Sequence, residues 1–348
     1  MAKSALIVGG GIVGCMTAMQ LVKRGYSVTI VERNQIASQT SGESSWAGAG
    51  VLFPLLPWMY RDEVNALTFR GAEMYHDVVK ELLLETGIDA ELIQSGMHIL
   101  PPVDLKTATQ WCENHQLEHS IVSSSFSPLL TASDAPSLWL PNVCQVRPPY
   151  LMRALRAWLE KYKVTLLEQT QLKPLAESVG NTQTLNAWQT EAGETLTADI
   201  YIVTSGAWSF ELLKDTTSGL NIKPMRGQIL LYKPEQNLTH MAYSDGFYMV
   251  PRRDGYLLAG STLEDVGFDA STTLEVRNTL QLKAERLMPS LKGSPIIKHW
   301  SGLRPGTPEN LPTIGVHPSI QNVYLNTGHF RYGLTMAPSS AIQLITQL

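Results

Sequence analysis

Short apolar runs alternate with amphipathic stretches from the first residues of the chain. Ala5 to Val8 is uninterrupted by polar residues, the pattern of a strand buried on both faces. Gly9-Gly10-Gly11 breaks the run, and Ile12 to Lys23 has helical character, closed by the cation and glycine of Arg24-Gly25. Ser27 to Val31, β-branched at Val28, Thr29, Ile30 and Val31, predicts a second strand. Helical patterning returns over Asp62 to Thr86, Leu151 to Tyr162, Thr273 to Leu287 and, as a closing helix, Pro338 to Leu348. Val164 to Leu167, Thr197 to Ser205 and Val323 to Asn326 read as strands, and the stretch between 226 and 262 is β-rich at Gln228 to Tyr232, Phe247 to Val250 and Tyr256 to Ala259. Residues 95 to 145 are less regular, with a turn expected at Ser123-Ser124-Ser125, and Gly302 to Gly315 is dense in Gly and Pro. No repeat or low-complexity tract interrupts the pattern.

Composition narrows the class. The chain has 348 residues, 44% apolar and 17% charged, which suits one large or two smaller globular domains. A formal net charge of -4 gives no electrostatic reason to expect nucleic acid or an anionic membrane as partner. Cys15, Cys112 and Cys144 are odd in number and far apart, without metal-ligand or redox spacing, so no metal site is expected and a reducing cytoplasm is. The first strand begins at once, leaving no room for a secretory leader. No window is long and apolar enough to span a bilayer; the most apolar loop, Ala47 to Trp58, is broken by Gly48, Gly50, Pro54 and Pro57.

Candidate chemistry enters at the first turn. Gly9, Gly11 and Gly14 form G-x-G-x-x-G between a strand and a helix. The first glycine permits the tight turn, the second lets backbone approach a pyrophosphate, and the third lets the helix pack near the sheet. The helix N-terminus offers free N–H groups and partial positive charge to phosphates. Glu32 ends the second strand, where an acid can bond a ribose hydroxyl. A dinucleotide is therefore expected. Glycines alone do not separate FAD from NAD; the small-residue segment Ser44 to Gly50, soon after Glu32, is placed where a backbone could lie along the cofactor.

Further motifs carry a resemblance over nearly the whole chain. Glu43-Ser44-Ser45-Trp46-Ala47-Gly48, Pro251-Arg252-Arg253-Asp254-Gly255, Gly260-Ser261-Thr262-Leu263-Glu264, Gly302-Leu303-Arg304-Pro305-Gly306-Thr307 and Gly328-His329-Phe330-Arg331 together resemble the glycine oxidases of thiamine biosynthesis, within the D-amino-acid oxidase-like flavoproteins. That resemblance implies noncovalent FAD, oxidation of a small amine-bearing acid with O2 as acceptor, and a homo-oligomer. The implied fold is α/β, α+β overall: a Rossmann-type FAD-binding domain built from residues 1–83, 145–215 and 300–348, and a substrate domain on a mainly antiparallel sheet from residues 84–144 and 216–299. Relatives continue beyond the closing helix, so a further tail is expected after Leu348.

Site residues follow from the same resemblance. Arg304 is expected to pair with the substrate carboxylate, Tyr248 to hydrogen-bond it, and Arg331 to lie beside pocket and flavin. Gly9, Gly11, Ile12, Val13, Gly14, Glu32, Arg33, Ser44, Ser45, Ala47, Gly48, Leu172, Gly206 and Gly302 are expected to hold the cofactor, with Arg331, Tyr332, Gly333, Leu334 and Thr335 along the isoalloxazine ring. Tyr332 and Gly246 depart from the Asn and His that the resemblance leads one to expect, so substrate range stays open among glycine, sarcosine and D-alanine. A planar guanidinium suits a carboxylate because it binds through two parallel hydrogen bonds. If the amine enters neutral, no general base is needed, and His299 and His329 are expected to be structural. Phe53 to Tyr60 suits either a pocket mouth or interdomain packing. Alternatives are a D-amino-acid or secondary-amine dehydrogenase passing electrons to a quinone, a flavoprotein acting on tRNA, and a nonenzymatic nucleotide sensor.

Overall fold

The computed structural model describes residues 2–39, 42–123, 126–176 and 183–348. Ser124 and Ser125, part of the expected serine turn, lie outside them.

Two large sheets organise the molecule. The first has six strands, in the order 313–316, 323–327, 200–203, 4–8, 27–31 and 165–167. Its strands are parallel except Thr313–Val316, which pairs antiparallel with Val323–Thr327. The first βαβ unit runs Ser4–Val8, Ile12–Lys23, Ser27–Val31, as the apolar pattern predicts. Helices Ile12–Lys23, Asp62–Thr86, Pro148–Lys161 and Gly333–Ile345 contribute Met16, Tyr75, Leu155 and Ala341 to a core shared with Ile7 and Ile30. The opposite sheet face buries Leu6, Val8 and Val203 with Leu172, Trp188 and Leu213. Burial on both faces explains why these strands show no polar alternation.

The second sheet has eight strands, in the order 296–306, 223–232, 257–260, 247–251, 241–244, 97–99, 137–140 and 120–122. Pairing is antiparallel apart from Met241–Ser244 beside Met97–Ile99. Side chains alternate between two cores: Tyr248 and Val250 pack with Phe53 and Met97, while Phe247 and Met249 pack with Leu280 and Met288.

Three expectations are corrected. The region 95–145 is more ordered than its sequence suggests: strand Met97–Ile99, helix Leu105–Asn114 and strand Ser137–Leu140 lie within it. These strands are too short to display a period, and pairing across the sheet defines them. The Gly/Pro-dense stretch after 302 begins as strand: Ile296–Gly306 pairs along Lys223–Tyr232, so Arg304 stands on a strand and the expected domain boundary at 300 falls inside one element. The closing helix starts at Gly333, five residues earlier than expected, with Pro338 inside it. Among the described residues no helix is long and apolar enough to cross a membrane.

Candidate active site

The C-terminal ends of the parallel strands 4–8, 27–31, 200–203 and 323–327 converge on one cavity, the position where open α/β sheets bind ligands. It holds about 1880 Å³ of empty space, mouth included, and reaches from the glycine turn to the antiparallel sheet.

At the turn each glycine has a measurable reason. Gly9 has φ +108°, and a Cβ there would stand 2.9 Å from the carbonyl oxygen of Thr204. A Cβ on Gly14 would stand 2.0 Å from the carbonyl oxygen of Gly9, so the helix can rest on the turn only with glycine at this place. The Thr204 hydroxyl donates to the Val8 and Gly9 carbonyls at 3.0 and 2.9 Å, tying the neighbouring strand to the loop. Ser45 Oγ accepts the Ile12 N–H at 3.0 Å, which brings the small-residue segment to the helix N-terminus. Glu32 is buried; its two oxygens accept the N–H groups of Gly10 and Asn34, each at 2.8 Å. Arg33 lies 3.6 Å over the Trp208 ring, and burial lowers its pKa against the opposing pull of Glu32 and Glu43.

At the other end the walls change character. Tyr248, Arg304, Arg331, Phe53 and Leu55 line the cavity. Arg304 Nη2 donates to Ser261 Oγ at 2.8 Å and Nη1 to the Thr262 carbonyl at 3.1 Å. Burial lowers its pKa below the ordinary guanidinium range; the Tyr248 phenol opposes that shift and nearby Arg331 adds to it. Among the described residues neither Arg304 nor Arg331 has a carboxylate in ion-pair contact, whereas Arg226 nearby has two, Glu264 at 2.7 Å and Asp269 at 2.6 Å. Arg304 is half-buried, and a partly desolvated guanidinium without a carboxylate partner is suited to an anion.

Of the expected cofactor residues, Gly9, Gly11, Ile12, Val13, Glu32, Arg33, Ser44, Ser45, Gly48, Leu172, Gly206, Arg331, Tyr332, Gly333, Leu334 and Thr335 line this cavity. Gly14, Ala47 and Gly302 stand behind the wall. Gly14 supports the turn, and a Cβ on Gly302 would lie 2.7 Å from that of Ala47, so this pair lets the small-residue segment seat on the antiparallel sheet. Phe53 to Tyr60 divides: Phe53 and Leu55 face the cavity, while Trp58 packs into the core beneath it.

Sequence reasoning missed Thr204, Ser205, Trp208, Ser261, Asn326 and His329, all in the cavity wall. Their shared signal is position, at the end of a buried strand or in the turn that follows it. Asn326 Oδ1 and His329 Nε2 are buried without a protein partner among the described residues. Burial holds the His329 pKa down at about 3, so the ring stays neutral. Unpartnered buried atoms in a cavity wall are what a polar ligand satisfies. With the glycine cradle and Glu32 at one end, the residues present fit a dinucleotide flavin.

Comparison with known proteins agrees. The family model described as FAD dependent oxidoreductase matches residues 4–348. The glycine oxidase of Pseudomonas putida is 36% identical over 354 aligned residues, covering 100% of this chain and 94% of that protein. That of Pseudomonas aeruginosa is 37% identical, covering 98% and 93%. The bifunctional protein ThiO/ThiG of Trichormus variabilis is 31% identical; the match covers 98% of this chain and 52% of that longer protein. The crystal structure of glycine oxidase from Geobacillus kaustophilus superimposes with TM-score 0.89 at 24% identity, covering 99% of this chain and 95% of that one, and shows the shared fold. This chain belongs to the FAD dependent oxidoreductase family, with FAD as its cofactor.

Proposed function

We propose that this enzyme is an amino-acid oxidase acting on glycine and other small amines such as sarcosine or D-alanine, with net conversion of glycine, water and O2 to glyoxylate, ammonia and H2O2. The observation that carries the reading is Arg304, a half-buried cation with no carboxylate in ion-pair contact among the described residues, beside Tyr248 in the cavity wall. The glycine oxidases among its relatives support the same substrate, and thiamine biosynthesis is the setting the resemblance implies.

FAD, when bound, would supply a hydride acceptor and a path for electrons to O2. Arg304 takes the substrate carboxylate through parallel hydrogen bonds, fixing direction as well as position. Tyr248 offers its hydroxyl to the same group. Arg331, exposed at the cavity mouth, adds positive potential on the route in. Such positioning can supply several kcal/mol of barrier reduction, about 7–11 at its upper end. His329 is neutral and buried, and an amine that enters unprotonated needs no general base. The split into a discontinuous cofactor domain and a substrate domain is part of this proposal, with strand Ile296–Gly306 assigned whole to the substrate side. A cytoplasmic homo-oligomer completes it.

The test is anaerobic visible absorbance of the holoenzyme while glycine, sarcosine and D-alanine are added in turn, followed by air. Bleaching by glycine with fast recovery in air is expected. A yellow protein that no amine bleaches removes the substrate assignment, and bleaching that air reverses only slowly makes the enzyme a dehydrogenase.

A further inference from the structure

We propose that Gly227 and Ser261 are positioning residues that hold the Arg304 guanidinium in the pose from which it takes the substrate carboxylate; this rests on the carboxylate-binding reading of Arg304. Gly227 lies within strand Lys223–Tyr232, opposite Gly302 on the strand that carries Arg304. A Cβ on Gly227 would stand 2.1 Å from Arg304 Nη1, 2.4 Å from Nη2 and 2.5 Å from Cζ. The head of the side chain therefore occupies the space that any other residue at 227 would fill. Real Cβ atoms do not approach so closely, and the long Arg304 side chain, rather than the paired strand, would be the part to move.

The other side of the guanidinium is fixed by hydrogen bonds. Ser261 Oγ accepts from Nη2 at 2.8 Å, and the Thr262 carbonyl accepts from Nη1 at 3.1 Å. A guanidinium carries five N–H donors, so these two bonds leave others for a carboxylate. The residues flanking Gly227 hold the 262–264 segment in turn. The Gln228 N–H donates to Thr262 Oγ1 at 2.9 Å, the Gln228 side chain to Glu264 at 3.0 Å, and Arg226 to Glu264 at 2.7 Å. Arg304 is thus seated between a bare backbone and a braced serine. A long side chain that would otherwise sample many rotamers is pre-organised before substrate arrives.

The experiment uses the holoenzyme and its Ser261→Ala, Ser261→Thr and Gly227→Ala variants. Acetate, glycine without its amine, is titrated against the flavin visible spectrum, and kcat and KM are measured for glycine. Ser261→Ala is expected to weaken acetate and raise KM about tenfold, the scale of one lost charge-assisted hydrogen bond, with kcat within about threefold. Ser261→Thr, which keeps the hydroxyl, restores both, and Gly227→Ala weakens acetate more than Ser261→Ala does. Because Gly227→Ala also crowds a central strand, Ser261→Ala carries the decision. Unchanged acetate affinity and KM in Ser261→Ala, a fall in kcat alone, or no restoration by threonine overturns the proposal. So does a wild-type enzyme that binds no acetate. Acetate binding that Ser261→Ala weakens, in an enzyme glycine does not reduce, sustains the positioning role while removing glycine as substrate.

Discussion

The hydroxyl of Tyr75 donates at 2.6 Å to the carbonyl of Leu334, the group that Pro338, four residues later, cannot bond for want of an N–H. A side chain from helix Asp62–Thr86 thereby caps a vacancy inside helix Gly333–Ile345, at a residue that itself lines the cavity. Proline in a helix interior ordinarily costs about 3 kcal/mol, partly through that lost bond.

This relationship predicts a coupled pair of mutations. Tyr75→Phe removes the hydroxyl that donates to the Leu334 carbonyl, at a cost of about 1–3 kcal/mol. Pro338→Ala restores the helical N–H, so in that background the cost of Tyr75→Phe should shrink by about 1 kcal/mol or more. Denaturant midpoints of the four proteins check it; equal costs in both backgrounds would show that the hydroxyl does not substitute for the helical bond.

Glu32 holds the glycine turn as well as facing the cavity. Glu32→Ala frees the N–H groups of Gly10 and Asn34 and removes an acceptor from the cofactor side. FAD affinity of the apoprotein, read by quenching of free flavin fluorescence, is expected to fall by about tenfold or more. Glu32→Gln, which keeps one acceptor oxygen, should lose less.

Arg252 is a buried cation bound to oxygens of neutral groups. It donates to Gln145 Oε1 at 2.7 Å, the Val146 carbonyl at 3.1 Å and the Ala49 carbonyl at 2.6 Å. Burial, helped by Arg147, lowers its pKa to about 10. Arg252→Met should cost about 2–4 kcal/mol, because three acceptors lose a charged donor at once. A shifted denaturant midpoint with unchanged slope is the expected readout.

His98 and His240 face each other across Ser127, whose hydroxyl contacts both rings. Burial, then the neighbouring His240, lowers the His98 pKa to about 4 from an ordinary 6.5, and burial lowers that of His240. The folded state therefore favours neutral rings. Stability from this pair is complete above about pH 6.5 and is lost progressively as pH falls toward 4, since the unfolded chain binds the protons first. Thermal midpoints should drop over that window, and less steeply in His98→Gln; equal slopes would exclude His98 as the cause.

The first βαβ unit was legible because its signals are local. Gly9, Gly11 and Gly14, the apolar run before them and Glu32 after them each answer to a steric or electrostatic demand within about thirty residues of chain. Helix Asp62–Thr86 was equally plain from its period, and the resemblance brought Arg304, Tyr248 and Arg331 to one cavity before any coordinates did. Other features depend on partners distant in sequence. Arg304 reads as a loop residue until strand 223–232 pairs beside it, and Gly227 reads as a weak strand position until that guanidinium lies on it. Pro338 reads as a helix start until Tyr75, 263 residues earlier, satisfies the carbonyl it leaves bare. The sequence by itself determined where the dinucleotide turn forms, because its geometry is demanded by neighbouring residues. Only the tertiary structure decided which glycines make room for a side chain and which buried groups find a partner, because those are contacts between segments that no local pattern encodes.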